Sequence, residues 1–167
     1  MKGEETIPYI FFNKAKELGS KTALLSYYED AIKHISWQEF ENEVTILALG
    51  LISIGIGAKE NVAIISENRP EWIISELAIL SIGASAVPIY TTLTAKEMEF
   101  ILNDCKARAV IVSNETFLKK IISIKGFLPN LKNIILIDTD TKSASEAVSF
   151  SKIIKMGKEF KDAEIFE

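Results

Sequence analysis

Residues 66–90 read SENRPEWIISELAILSIGASAVPIY. The first four are polar, and Pro70 suits the opening turn of a helix, where an N–H has no intrahelical partner to lose. Asn68 can accept from the free N–H groups behind it, and Glu71, taken as N3, adds negative charge beside the positive end of the helix. The stretch therefore predicts a helix from about Arg69 to Ile82, capped by Asn68. Trp72 to Gly83 has so little polar surface that this helix must be covered on two sides. The apolar run from Ala86 to Tyr90 then predicts a strand. Upstream, NVAII predicts a strand from Val62 to Ser66, so the whole stretch reads as a strand, a crossover helix and a second strand.

The same alternation continues downstream. Thr94 to Cys105 has helical spacing, RAVIV (108–112) is a strand, Thr116 to Ile122 is a short helix, NIILID (133–138) is a strand, and Phe150 to Phe160 is a terminal helix. Short continuous apolar strands separated by helices indicate an α/β fold with a largely parallel sheet and helices on both faces. Asp138 to Ala147 reads as a polar surface loop. Upstream of Val62 the period differs. Ile7, Ile10, Phe11, Ala15 and Leu18 form one stripe of a first helix, capped by Thr6 and ended by Gly19. TALLSYY and AIKHISW flank Glu29-Asp30 as a β-hairpin. Ser36 and Glu39 then make a capping box for a helix carrying Trp37, Phe40, Val44, Leu47, Leu51 and Ile54, which stops at Gly55.

Composition narrows the function classes. At 167 residues, with 48% hydrophobic and 25% charged side chains, the chain suits one domain with a sizeable core. A net charge of -4 and only two arginines, Arg69 and Arg108, argue against nucleic acid. Cys105 is the single cysteine, so no internal disulfide or thiolate cage can form, and a reducing cytoplasm is the expected compartment. The single His34 argues equally against zinc. No transmembrane segment is expected, because Val44 to Ala58 is too short for a span and Trp72 to Tyr90 contains Glu76 and Pro88.

The familiar chemical motifs are missing. Gly50, Gly55 and Gly57 close a helix and enter a strand, the reverse of a dinucleotide loop. There is no Walker sequence and no nucleophile elbow. The carboxylate groups Glu4-Glu5, Glu39-Glu41-Glu43 and Glu97-Glu99 fall on the amino terminus or on helix faces expected to be solvated. Open parallel sheets bind ligands beyond the carboxyl ends of their strands, which makes Glu67 to Arg69 and Tyr90 to Thr92 ligand-competent edges. Capping alone also accounts for the residue types in the first of these.

VAIISENRPEWIISELAILSIGASAVPIYTTLTAKEMEFILNDCKARAVIV (62–112) resembles the amino-terminal region of AMP-forming acyl-CoA synthetases, above all the bacterial long-chain fatty-acid–CoA ligases. The upstream ISWQEFENEVTILALGLISIGIGAKENVAII and the downstream LPNLKNIILID and SFSKIIKMGKEF are similar too, so the resemblance covers nearly the whole chain. It implies an enzyme that joins a fatty acid to ATP, releases pyrophosphate, and passes the acyl group from acyl-AMP to coenzyme A, with magnesium assisting. It also implies that residues 1–167 are the amino-terminal portion of the large domain, ending before the phosphate loop.

The family's adenine and ribose motifs, its magnesium-associated acidic residue and its carboxyl-terminal domain with an assisting lysine have no counterpart in these residues. No catalytic residue and no metal ligand is therefore assigned. ATP, magnesium and coenzyme A are expected to serve the full-length enzyme, and none is expected to bind this stretch tightly. The substrate-proximal candidates, taken from strand-end geometry, are Asn68, Arg69, Tyr90 and Thr91. A fragment of a larger domain is expected to expose apolar surface and to self-associate. The rival reading is a stand-alone, non-catalytic α/β interaction module.

Overall fold

The computed structural model describes residues 6–28, 31–138 and 146–160. Helix α1 (Ile7–Leu18) leads into the antiparallel hairpin of β1 (Thr22–Tyr28) and β2 (Ala31–Ser36), followed by helix α2 (Trp37–Ser53). The expected turn residues Glu29 and Asp30 lie outside the described residues, as do Glu4 and Glu5 and the interior of the loop expected at Asp138 to Ala147. Five strands follow, namely β3 (Asn61–Ile65), β4 (Ser85–Pro88), β5 (Ala109–Val112), β6 (Asn133–Leu136) and β7 (Val148–Ser149). They form one parallel sheet in the order β4-β3-β5-β6-β7. Helices α3 (Pro70–Ser81), α4 (Ala95–Asp104) and α5 (Glu115–Ile124) join successive strands, and α6 (Phe150–Glu159) follows β7. The expected α/β architecture is present. Strand β7 is an addition, since two residues are too few to carry a readable period.

Successive side chains of a strand point to opposite faces, so each strand feeds two cores. Val62, Ile64, Ala109, Ile111 and Ile135 pack with Phe40, Leu47 and Leu51 of α2, Ile74 of α3 and Ile153 of α6. Ala63, Ile65, Val110, Val112, Ile134 and Leu136 pack with Met98 and Leu102 of α4 and with Leu118 and Ile121 of α5. Burial on both faces explains why the strands read as unbroken apolar runs rather than alternating ones.

Helix α1 departs from its expected stripe. Phe11 and Ala15 are buried, but Ile7 and Ile10 are 62% and 54% exposed. The helix is turned so that the Phe11 ring meets Phe40 edge-on at 4.8 Å and lies 6.2 Å from Trp37. Phe11, rather than Ile7 or Ile10, thus carries the contact of α1 with α2.

Helices α2 and α6 meet backbone to backbone at Gly50 and Gly157. A Cβ on Gly157 would run into the Ile46 carbonyl oxygen and come within 2.9 Å of the Gly50 nitrogen. One on Gly50 would collide with the Ile153 carbonyl and lie 2.7 Å from the Ile153 side chain.

Most of the helices have side-chain caps, of which those at Thr6 and Ser36 were expected from the sequence. Ser36 with Glu39 and Thr94 with Glu97 form complete capping boxes, Thr6 accepts from the Tyr9 N–H, and Ser149 accepts from the Lys152 N–H. The exception is α3. Its cap residue is Arg69, not Asn68, and the Arg69 side chain makes no cap hydrogen bond. Pro70 causes this, because a residue before proline is pushed out of the helical region. Arg69 accordingly sits at φ -152° and ψ 161°, and Glu71 becomes the second helical residue rather than the third. By contrast Asn114 accepts from both the Thr116 and Phe117 N–H groups at the start of α5. Asn114→Ala is expected to cost about 1 kcal/mol in urea denaturation and Asn68→Ala under about 0.5 kcal/mol. The reverse order would restore Asn68 as a cap.

Candidate functional site at the carboxyl edge of the sheet

All five strands run the same way, so the loops after β3, β4, β5 and β6 emerge along one edge. The connection from β3 leads to β4 on one side, and that from β5 leads to β6 on the other. The topological switch point thus lies between the adjacent strands β3 and β5.

Chain groups fill this crevice. The Glu67 carboxylate leaves the end of β3 and accepts from the Ser113 hydroxyl at 2.5 Å and from Asn114 Nδ2 at 3.0 Å. Ser113, the first residue after β5, is fully buried. Partial burial works against the charged form of Glu67, but the Ser113 hydroxyl, its own backbone N–H, Arg69 and Asn114 outweigh it. Together they hold the carboxyl below the ordinary glutamate range.

Arg69 extends the network to the next strand. Its Nη1 donates to Asp138 Oδ1 at 2.9 Å, beyond the end of β6, and its Nε donates to Glu71 Oε2 at 2.8 Å. Burial disfavours the cation, yet the two carboxylates raise its pKa overall. Glu71 responds in kind. Burial pushes its carboxyl up, and Arg69, the backbone N–H of Glu71 itself and Lys33 bring it below the usual value.

The four sequence candidates all lie on this edge, in two separately anchored loops. Asn68 is exposed and Arg69 half-buried, in the loop tied to β5 and β6. Tyr90 is 82% exposed after β4. Thr91 is half-buried, and its loop is held from α5 by Lys120, whose Nζ donates to the Leu93 carbonyl at 2.8 Å and the Thr91 carbonyl at 3.5 Å. Ser113, Asn114, Lys120 and Asp138 were not among the candidates. Ser-Asn between RAVIV and a helix is a readable cap signal, whereas nothing local marks Lys120 or Asp138 as partners of distant loops.

Three carboxylates differ from their sequence reading, since Glu41, Glu43 and Glu99 are half-buried. At Glu43 burial pushes the carboxyl up against the lowering influence of Lys33. Glu39 and Glu97 are exposed and serve as capping-box carboxylates.

Comparison with known proteins places this chain in a family. The AMP-binding enzyme family matches residues 11–163, and the chain belongs to it. The long-chain-fatty-acid–CoA ligase ACSBG2 of Xenopus laevis is 28% identical over 161 residues, covering 96% of this chain and 22% of that ligase. The long-chain-fatty-acid–CoA ligase FadD15 of Mycobacterium tuberculosis is 33% identical over 103 residues, covering 62% of this chain and 17% of that ligase.

Among solved structures, the anthranilate CoA ligase AuaEII in complex with anthranoyl-AMP superposes with a TM-score of 0.75 at 32% identity, covering 89% of this chain and 26% of that chain. The long-chain-fatty-acid–CoA ligase FadD1 of Archaeoglobus fulgidus gives 0.78 at 19% identity, covering 90% and 29%, a likeness of fold alone. The chain spans 22% of the length of the Xenopus ligase and 26% of AuaEII.

Proposed function

We propose that residues 1–167 act as the amino-terminal portion of the large domain of a long-chain-fatty-acid–CoA ligase. The complete enzyme activates a fatty acid with ATP to acyl-AMP and passes the acyl group to coenzyme A. The observation that carries this reading is the match to the AMP-binding family along residues 11–163, joined to relatives that are fatty-acid–CoA ligases. The rival reading as a stand-alone interaction module has no comparable support.

In this reading the chain supplies wall and support rather than reacting groups. Adenylation needs donors and cations aimed at the charge that develops on phosphate. Here the N–H groups opening α5 are taken by Asn114, and Arg69 is neutralised by Asp138 and Glu71. Magnesium belongs to the proposed reaction, but the residues present do not fit it. Among the described residues no group of three His, Cys, Asp or Glu is placed to hold a metal ion. ATP, magnesium and coenzyme A are therefore assigned to the complete enzyme.

Asn68, Arg69, Tyr90 and Thr91 border the substrate path by their position at the strand ends. The compartment in this reading is the cytoplasm; no described helix is long and apolar enough to cross a membrane. The exposed Leu25, Tyr27 and Ile32 on one face of the hairpin give the isolated chain a surface for self-association.

The test is pyrophosphate release and acyl-CoA formation with ATP, magnesium, coenzyme A and a series of medium and long fatty acids. It is run on the 167-residue chain and on the product of its reading frame extended past Glu167. No turnover is expected from the first and acyl-CoA from the second. Turnover by the 167 residues, or a folded but inactive longer product, overturns the reading.

A further inference from the structure

We propose that Glu67 is the positioning residue of this sheet edge: its carboxylate bridges the ends of β3 and β5 at the switch point and locks the loop bearing Asn68 and Arg69 to the loop that opens α5. Three observations carry the proposal. The fully buried Ser113 hydroxyl donates to Glu67 from the neighbouring strand at 2.5 Å and accepts from Asn114 Nδ2 at 3.2 Å. The second Glu67 oxygen takes Asn114 Nδ2, which orients the amide so that Asn114 Oδ1 faces the Thr116 and Phe117 N–H groups. And the β3 and β5 loops lead to helices on opposite faces, α3 packing in one core and α5 in the other.

One carboxylate therefore joins the entrances of two helices that share no core. Charge-assisted bonds of this kind are stronger than neutral ones and fix geometry more tightly. A buried hydroxyl stripped of its acceptor loses that bond without recovering water. Neighbouring charges reinforce the arrangement, because Arg69 lies on the same loop and is itself fixed to Asp138 and Glu71.

This builds on the reading that Asn68 and Arg69 border substrate. Its measurement uses no substrate, so a failed lock and a failed ligase assignment give separate results. The experiment is amide hydrogen exchange on the 167-residue chain, read at Thr116 and Phe117, for the wild type, Glu67→Ala, Glu67→Gln and Glu67→Ala/Ser113→Ala. Each is measured in sodium chloride and in sodium acetate of equal ionic strength.

Glu67→Ala is expected to exchange about tenfold faster at both amides, in keeping with the loss of a charge-assisted bond to a buried partner. Acetate is expected to recover part of that protection by entering the vacated position. Glu67→Gln keeps one acceptor and fills the space, so a smaller increase and no response to acetate are expected. The double variant is expected to respond to acetate less than Glu67→Ala, since the hydroxyl that would hold the ion is gone. Unchanged exchange in Glu67→Ala, or equal acetate effects in all four proteins, overturns the proposal. If Glu67→Ala does not fold, wild-type exchange in Glu67→Gln does the same.

Discussion

Gly157→Ala is expected to destabilise the protein by about 3 kcal/mol, although glycine to alanine in an exposed helix interior ordinarily stabilises by about 1 kcal/mol. The sign reverses because α6 lies backbone against backbone on α2. The new methyl group would occupy the space of the Ile46 carbonyl oxygen, which belongs to the helix ladder of α2 and cannot swing aside as a side chain could. Relief requires α6 to move outward, and that uncovers Ile153, which is fully buried between the helices. Overpacking alone costs about 1–3 kcal/mol, and exposing such a side chain about 1.5–3 kcal/mol. Urea denaturation should give a lowered midpoint, and amide exchange should accelerate across Phe150–Glu159. A variant as stable as the parent would mean that the two helices are not in backbone contact.

The second large effect is expected on an interior strand of the sheet. Ile64 is fully buried on β3, with β4 on one side and β5 on the other. Ile64→Ala removes three carbons from a place where the neighbouring backbone is pinned by ladders on both sides, so the cavity cannot collapse. Large-to-small changes in such cores cost about 2–5 kcal/mol, and the upper half of that range is expected here. The check is a fall in the urea midpoint at unchanged slope, which separates lost stability from a changed unfolded state. A loss under about 1 kcal/mol would show that the site relaxes.

Most of the architecture was legible because it rests on local signals. Ser36 with Glu39 announced one helix start, the spacing from Thr94 to Cys105 another helix, and the runs at Val62, Ala109 and Asn133 announced buried parallel strands. The misreadings came from competition between neighbours. Asn68 has the chemistry of a cap, but Pro70 forces the preceding residue into the extended region and moves the cap to Arg69. Ile7 and Ile10 have the right spacing for burial, but Phe11 decides how α1 is turned.

At the candidate site the edge was legible and the bonding was not. Strand order decides which loops become neighbours, and no residue of β3 states that its far side will pair with β5 rather than β6. Glu67 could therefore be placed at the edge but not joined to Ser113, nor Arg69 to Asp138.

The position of β3 also governs the order in which the fold can be completed. Val62 pairs with Ala86 on one side and with Ala109 on the other, and β3, second in the sheet but earliest of the five strands in the chain, waits for partners on both sides. During synthesis the β3-α3-β4 unit can close first, leaving the second edge of β3 open until β5 has emerged. Pairing across such a separation has to overcome loop-closure entropy before any ladder bond is gained, which slows the step and leaves an unsatisfied apolar edge exposed meanwhile. The same placement between two neighbours that protects β3 in the finished protein makes it dependent on timing while the protein is being made.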